Sequence, residues 1–262
     1  MRRKKAWLYR CPVCGFFASL LRPAEGTGVP GLEALRRRNF EFMLDQLQEI
    51  RPLAGTRILE VGSAWGWFLE AAKRRGANVR GIEPEAVNAE RAKRSGFDVE
   101  VGFFPADLRD REPYDMIIFN DVFEHLPNPS ILVAAIQKLL LPNGLMVLNL
   151  PSSDGVLFRV ATILDVIGSS GWLERLWQKD FPSPHVSYFN PGNLRSLVER
   201  HSDLKLVAAF PLNSVSRDGL AARIHSSHRG VKGAFAFLGL WALSFLLPRL
   251  PTDIYVAVFR SI

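Results

Sequence analysis

The chain has 262 residues, of which 48% are hydrophobic and 23% are charged, with 20 glycines and 17 prolines. This composition excludes a disordered, collagen-like or disulfide-rich protein and predicts one large domain with smaller additions. The net charge of +7 is compatible with phosphate-bearing partners such as nucleic acid or anionic lipid, but it specifies none of them.

The N-terminal segment contains the chain's two cysteines, Cys11 and Cys14. Their spacing is typical of half a zinc knuckle or of a redox pair. A tetrahedral zinc site needs two further ligands, and the nearest histidine pair, His225 and His228, is more than two hundred residues away. We therefore expect reduced thiols at Cys11 and Cys14, and a degenerate or intermolecular knuckle is the alternative.

The next part of the chain predicts a parallel sheet covered by helices. Phe40, Met43, Leu44 and Leu47 have the spacing of one buried helix face. From residue 57 onward, short apolar runs alternate with helical stretches that stop at glycines, which are typical left-handed helix ends. The predicted strands are residues 57–61, 78–82, 97–101, 115–119, 144–149, 204–210 and 253–259, and the predicted helices are residues 67–75, 85–94 and 193–199. The fold class is thus α/β, a doubly wound, mostly parallel sheet of seven strands with a terminal antiparallel hairpin.

A glycine-punctuated turn follows the first predicted strand, where Gly62 and Gly66 are preceded by Glu60. Glycines there let the backbone turn sharply and let a ligand approach it. The second predicted strand ends at Glu83, where a carboxylate would meet the ribose hydroxyls of a nucleoside. The glycines do not have the GxGxxG spacing, which argues against a dinucleotide.

Two more motifs follow in order: Asp121, Glu124 and His125 after the fourth strand, and Leu141-Pro-Asn-Gly144 before the fifth. The whole pattern resembles the class I S-adenosylmethionine-dependent methyltransferases. More narrowly, it resembles the ubiquinone-biosynthesis-type and small-molecule O-methyltransferases. The resemblance covers roughly residues 35–210, and it implies a Rossmann-like fold and S-adenosylmethionine as the cofactor.

The resemblance also implies roles for individual residues in holding the cofactor. It implies that Gly62, Ala64 and Gly66 contact the methionine portion and the ribose of the cofactor, and that Glu83 binds the ribose hydroxyls. Glu60 would order the loop, and Phe103 and Phe104 would enclose the adenine. The backbone carbonyl of Asn120 would accept the amino group of the methionine. In many relatives a third glycine stands where this chain has Ala64. An acidic residue that many relatives carry near the adenine is absent.

A hydroxyl acceptor must lose a proton, and two histidines are the candidate bases. His125 belongs to the Asp121, Glu124, His125 string, which in some relatives begins with Glu and binds a divalent metal. Many metal-free relatives carry the same string for helix capping and packing, so magnesium or manganese there is not favoured. In the resembling family, a histidine in the sequence context of His185 lies on the acceptor side of the cleft. A hydrogen-bonded histidine that orders its loop is the alternative for His185.

An apolar run of 15 residues, 233–247, is too short to cross a bilayer and has basic neighbours such as Arg229 and Lys232. Docking onto one face of an anionic membrane and burial beside the last strands are the two interpretations. The basic stretch at residues 1–5 leads into no apolar signal-peptide core, so we expect a cytoplasmic protein, with contact at the inner face of a membrane as a further prediction.

The predicted domains are an N-terminal segment, a methyltransferase core with an acceptor-side cap, an apolar insertion and the last strand of the sheet. Their bounds are residues 1–31, 32–210 with the cap at about 151–191, 211–251 and 252–262. The predicted reaction is methyl transfer to oxygen on a small or lipid-linked acceptor, such as a quinone precursor or a glycan-related metabolite. A nucleic-acid methyltransferase and a non-catalytic binding protein that retains the cofactor fold are the alternatives.

Overall fold

The structure, a computed structural model, describes residues 1–24, 32–214 and 250–262. The first elements are β1 (Arg2–Arg3), β2 (Leu8–Arg10), β3 (Phe17–Ser19), α1 (Glu33–Ile50), β4 (Arg57–Val61), α2 (Trp67–Arg74), β5 (Asn78–Glu83), α3 (Ala86–Arg94) and β6 (Asp98–Val101). They are followed by β7 (Tyr114–Asn120), a 3₁₀ turn (Phe123–His125), α4 (Pro129–Lys138), β8 (Leu140–Pro151), α5 (Val156–Val166), α6 (Gly171–Leu176), β9 (Ser187–Tyr188), α7 (Pro191–His201), β10 (Lys205–Leu212) and β11 (Ile254–Arg260).

The described chain divides into two compact units, which are named here after their sheets. Of the described residues, those within 1–39, 151–190 and 211–255 form the four-stranded unit, and those within 40–150, 191–210 and 256–262 form the seven-stranded unit. The predicted domain bounds divide the chain differently and stay a prediction.

The seven-stranded sheet has the strand order β10-β11-β8-β7-β4-β5-β6. Strand β4 pairs in parallel with β5 and with β7, β5 with β6, and β7 with β8. The predicted mostly parallel sheet of seven strands with a terminal hairpin is therefore confirmed. Because β4 lies between β5 and β7, the chain reverses its direction of progress across the sheet at β4, and such a switch point is where ligands bind in open α/β sheets.

Sequence patterns account for these elements. The predicted apolar face of α1 is buried, with Phe40, Met43, Leu44 and Leu47 in the core. Helix α2 is followed by Gly76 and helix α3 by Gly96, and both glycines have positive φ angles, of 81° and 83°. These are the left-handed helix ends that the sequence predicted.

The four-stranded sheet, with the order β1-β2-β3-β9, was not predicted. It is antiparallel, and its last pairing joins Phe17 to Tyr188 across most of the chain. A core cluster contains Phe158 and Ala161 of α5, Leu173 of α6, Trp177 directly after α6, and Tyr188 of β9. The segment after β8 therefore forms a core with the N-terminal residues of the same unit.

Candidate functional site

The predicted glycine turn lies at the carboxyl end of β4 and opens helix α2. Gly62 has a φ of 72°, and a Cβ added to it would lie 2.5 Å from a methyl carbon of Val122. The backbone N–H of Gly62 donates to the carbonyl of Ile82 over 2.8 Å, which fixes the turn to strand β5. Position 62 therefore requires glycine on two grounds, its left-handed backbone and the lack of space.

The carboxylate of Glu83 holds this turn from the end of β5. Its Oε2 accepts the backbone N–H of Ala64 over 2.8 Å, and its Oε1 accepts the backbone N–H of Glu85 over 3.0 Å. Glu83 is buried, and this burial raises its pKa above the ordinary value despite these hydrogen bonds. The structure thus brings together Gly62, Ala64 and Glu83, which the sequence placed at one site.

A second contact ties the turn to helix α3. The indole Nε1 of Trp65 donates to Oδ1 of Asn88 over 2.7 Å, and the Asn88 side chain also hydrogen-bonds Glu83. The guanidinium of Arg91 lies 4.0 Å from the centre of the Trp65 ring, at cation–π distance. Sequence analysis did not include Trp65 or Asn88 in the site, because neither position carries a family signature that a single sequence shows.

Three buried polar side chains form a line across the carboxyl ends of neighbouring strands. Nδ2 of Asn120 donates to Oε1 of Glu60 over 2.8 Å, and Nδ2 of Asn149 donates to Oδ1 of Asn120 over 3.3 Å. Glu60 is on β4, Asn120 on β7 and Asn149 on β8. Asn149 was missed by the sequence analysis, although an asparagine inside the apolar run 145–150 is a signal of a buried polar role.

The two phenylalanines predicted to enclose an adenine have different environments. The Phe103 side chain is exposed, whereas Phe104 is buried, with its ring packed edge-to-face against Phe119. Asp107 lies beside them, and its Oδ2 accepts the backbone N–H of Phe103 over 2.8 Å. A carboxylate is therefore present in the loop after β6, supplied by a residue that the sequence analysis did not consider because it follows the strand by several residues.

The Asp121, Glu124 and His125 string lies on one short turn after β7. Asp121 has a left-handed backbone with a φ of 54°, and its N–H donates to the carbonyl of Asn149 over 3.0 Å. Glu124 is buried and His125 is half-buried. A metal at this turn and a catalytic role for His125 both stay predictions.

His185 belongs to the four-stranded unit, in contrast to the predicted cofactor residues. It is buried, its backbone carbonyl accepts the Ser19 hydroxyl over 2.7 Å, and its Nε2 lies 3.1 Å from Nε2 of Gln178. In this arrangement the Gln178 amide donates to an unprotonated imidazole nitrogen. Gln178 is a neighbour that sequence analysis could not assign, because its φ of 49° turns the chain in a way glutamine does not favour.

Cys11 and Cys14 lie in the turn between β2 and β3, and they are not joined by a disulfide. The Cys11 N–H donates to the carbonyl of Phe16 over 2.8 Å, which closes the turn. Backbone N–H groups of Cys14 and Val13 hydrogen-bond the Cys11 sulfur and lower its pKa. The zinc prediction for this pair stays a prediction, and His225 and His228 lie outside the described residues.

The apolar run 233–247 and its basic neighbours also lie outside the described residues. Among residues 1–24, 32–214 and 250–262, the structure contains no helix that is both long enough and apolar enough to span a membrane.

Comparison with known proteins identifies the family of the chain. Residues 35–209 match the methyltransferase domain family. The chain is 28% identical over 170 residues to a ubiquinone biosynthesis O-methyltransferase of Xylella fastidiosa, which covers 62% of this chain and 66% of that protein. It is 31% identical over 131 residues to the protein of the same name from Agrobacterium fabrum. That match covers 48% of this chain and 52% of that protein. The chain thus matches these curated relatives over about half to two thirds of their own length.

Among solved structures, magnesium protoporphyrin IX methyltransferase of Synechocystis PCC 6803, determined with bound SAH, is similar in fold. Its TM-score is 0.58 at 11% identity, over 91% of this chain and 90% of that one. The fold is thus that of the class I S-adenosylmethionine-dependent methyltransferases, as predicted. With its family match over residues 35–209, the chain belongs to the methyltransferase domain family.

Proposed function

We propose that this protein transfers the methyl group of S-adenosylmethionine to an oxygen atom of a small or lipid-linked acceptor, such as a quinone precursor or a glycan-related metabolite. The observation that carries the proposal is the buried carboxylate of Glu83 beside the turn at Gly62, in a chain of the methyltransferase domain family. Oxygen as the target and a small acceptor are supported by the ubiquinone O-methyltransferases among its relatives.

The residues present fit this cofactor. The turn at Gly62 leaves backbone without a side chain at a sheet switch point, and Glu83 offers a carboxylate beside it for the two ribose hydroxyls. Gly62, Ala64 and Gly66 would hold the methionine portion and the ribose. Glu60 would hold Asn120 in place through its 2.8 Å hydrogen bond, so that the backbone carbonyl of Asn120 can accept the amino group of the methionine.

The adenine would lie near the loop after β6. Phe103 is exposed there and is free to cover a planar base, whereas Phe104 supports the loop from the core through its contact with Phe119. The Asp107 side chain holds the backbone of Phe103, and thereby the position of its ring.

The cofactor supplies a methyl group activated on a sulfonium sulfur, which needs only an aligned nucleophile. The protein must therefore orient the acceptor and accept the proton that the acceptor hydroxyl loses as the new oxygen–carbon bond forms. His125 is a candidate base in the same unit as the cofactor residues, and its side chain is half-buried. His185 is the second candidate, and the Gln178 amide already occupies its Nε2.

The experiment is mass spectrometry of a cell extract incubated with the purified protein and deuteromethyl-labelled S-adenosylmethionine. One labelled product that forms with the wild-type protein, and not with heat-inactivated protein, identifies the acceptor class, and its fragmentation distinguishes a methyl on oxygen from one on nitrogen or carbon. A label on nucleic acid, or no labelled product together with tight cofactor binding, would contradict the proposal.

The two candidate bases can be separated by kinetics with the acceptor that this experiment identifies. His125→Gln and His185→Gln should differ, since loss of the base lowers kcat, by roughly 10²- to 10⁴-fold, while cofactor affinity is kept. The variant that loses kcat without losing affinity identifies the base, and equal losses of both quantities would indicate a structural role.

A further inference from the structure

Helix α5 presents large aliphatic side chains to solvent. Val160 is 46% exposed, Ile163 64%, Val166 83% and Ile167 74%, and Trp172 at the start of α6 is 45% exposed. The first four follow one another at the i, i+3, i+6 and i+7 positions of one helix face. These five residues are called the α5–α6 patch. Scattered exposed apolar residues need no explanation, but a contiguous group on one face marks an interaction site.

The patch is not the core face of its helices. Phe158 and Ala161 of α5, and Leu173 of α6, are buried in the core of the four-stranded unit, together with Leu8 and Tyr188. Helix α5 is thus apolar on the face that packs inward and apolar again on the face that points outward. Exposure of these apolar side chains to water has an unfavourable free energy, and burial against another apolar medium removes it.

A basic segment is fixed beside the patch. Nζ of Lys5 lies 2.5 Å from Oδ1 of Asp165 near the end of α5, and it donates to the hydroxyl of Ser170 over 3.1 Å in the loop before α6. The residues directly before Lys5 are Arg2, Arg3 and Lys4, and all three are exposed. Lys5 therefore brings a run of cationic side chains to the loop that separates the two halves of the patch.

We propose that the α5–α6 patch and residues 2–4 dock onto an anionic lipid bilayer. Aliphatic side chains on one helix face, a tryptophan at its end and a flank of Arg and Lys together form the chemistry of an interfacial membrane contact. This inference does not depend on the proposed reaction.

Charge favours lipid over a second copy of the chain as the occupant. A two-fold dimer through the patch would bring the basic segments of both copies toward one interface, and like charges repel there. An anionic leaflet, by contrast, attracts every one of these cations.

The test is flotation or sedimentation of the full chain with vesicles of phosphatidylglycerol and phosphatidylcholine at equal amounts, and with pure phosphatidylcholine vesicles. The matched pair of variants is Ile167→Asp in the patch and Ile131→Asp on α4, where Ile131 is 70% exposed. We expect Ile167→Asp to lower the partition coefficient by on the order of tenfold, the effect of losing one inserted aliphatic side chain. Ile131→Asp should leave the partition coefficient unchanged.

The charge contribution is tested in the same assay. Replacing Arg2, Arg3 and Lys4 with serine should weaken binding to the anionic vesicles and reduce its salt dependence, and pure phosphatidylcholine vesicles should show little of this effect. The control replaces three exposed cations of the seven-stranded unit with serine, namely Arg94, Lys138 and Lys205.

Four outcomes would overturn the proposal. The first is wild-type protein that binds no vesicles, and the second is equal loss of binding in Ile167→Asp and Ile131→Asp. The third is concentration-dependent dimerisation in solution that Ile167→Asp abolishes, which would make a second copy the occupant. Binding that survives Ile163→Asp with Ile167→Asp, but is lost with Trp241→Asp and Phe245→Asp, would move the contact to the apolar run 233–247.

Discussion

The carboxylate of Glu83 offers the sharpest test of the proposed cofactor site. Glu83→Gln keeps the size and shape of the side chain but removes its negative charge and one of its two acceptor oxygens. The backbone N–H groups of Ala64 and Glu85 are 2.8 Å and 3.0 Å from these oxygens, so the substitution acts on the turn as well as on the bound ribose. Glu85→Gln is the matched control, because Glu85 is exposed and its hydrogen bond to Glu83 comes from its backbone N–H.

The expected loss of affinity follows from the hydrogen bonds that a ribose would make. A hydrogen bond to a charged group contributes about 1.5–3 kcal/mol, which corresponds to roughly 10- to 150-fold in the dissociation constant. The sign of the pH effect follows from burial, which raises the pKa of Glu83 in the free protein. Ribose hydroxyls donate to the ionised form, so affinity should fall as the pH is lowered through this raised pKa, and Glu83→Gln should remove that dependence.

The measurement is isothermal titration with S-adenosylhomocysteine between pH 5 and pH 8, accompanied by thermal unfolding of each variant with and without this ligand. Glu83→Gln should melt cooperatively but show a smaller ligand-induced rise in Tm than the wild type or Glu85→Gln. An unchanged dissociation constant in a folded Glu83→Gln variant would remove Glu83 from the cofactor site. A loss of affinity that is equal in Glu85→Gln would show that general charge, and not the position of Glu83, is responsible.

Three further predictions concern strain, titration and metal. Ala64→Gly should raise the free energy of unfolding, measured in urea, by about 0.5–1 kcal/mol. The reason is that the steric strain of alanine in a left-handed backbone, at φ 45°, is larger than the conformational entropy that glycine loses on folding. A lower free energy of unfolding would contradict this prediction. Burial raises the pKa of Tyr114 to about 12 from its ordinary value of 10, so stability should fall by about 2 kcal/mol as the pH rises from 10 to 12, and Tyr114→Phe should lack this fall in chemical denaturation. Turnover should be unaffected by EDTA, whereas a loss that magnesium restores would assign Asp121, Glu124 and His125 as metal ligands.

The parallel sheet could be predicted because its signals are local. The central strands β4, β7 and β8 contain apolar runs, and Gly76 and Gly96 mark the helix ends within a few residues of where the structure has them. The order of the motifs then placed Gly62 and Glu83 at one edge of the sheet, because parallel strands end on the same side.

The four-stranded sheet could not be predicted, because its signals are neither local nor long enough. Strand β1 is the pair Arg2–Arg3, and β9 is the pair Ser187–Tyr188. Two residues show no alternation, and the pairing of β3 with β9 joins segments that five strands of the seven-stranded sheet, β4 to β8, separate along the chain. Asp107 and Gln178 could not be predicted for a similar reason. Asp107 contacts the backbone of Phe103 and Gln178 contacts the ring of His185, and both contacts depend on loop conformations that the sequence does not show.

Two residues with an unfavourable backbone conformation, Ala64 and Gln178, lie next to residues that the sequence analysis assigned to sites. Among the described residues other than glycine, positive φ angles occur at four asparagines or aspartates and at Ala64 and Gln178. Asparagine and aspartate adopt this conformation with little strain, whereas alanine and glutamine do not. Ala64 donates to the Glu83 carboxylate, and Gln178 lies 3.1 Å from the His185 ring. Strain of this kind persists only where surrounding contacts hold it, and it gathers at functional sites. Because neither alanine nor glutamine favours this conformation, a sequence pattern contains no sign of it. The roles of Glu83 and His185 stay proposals, which the variants described above test.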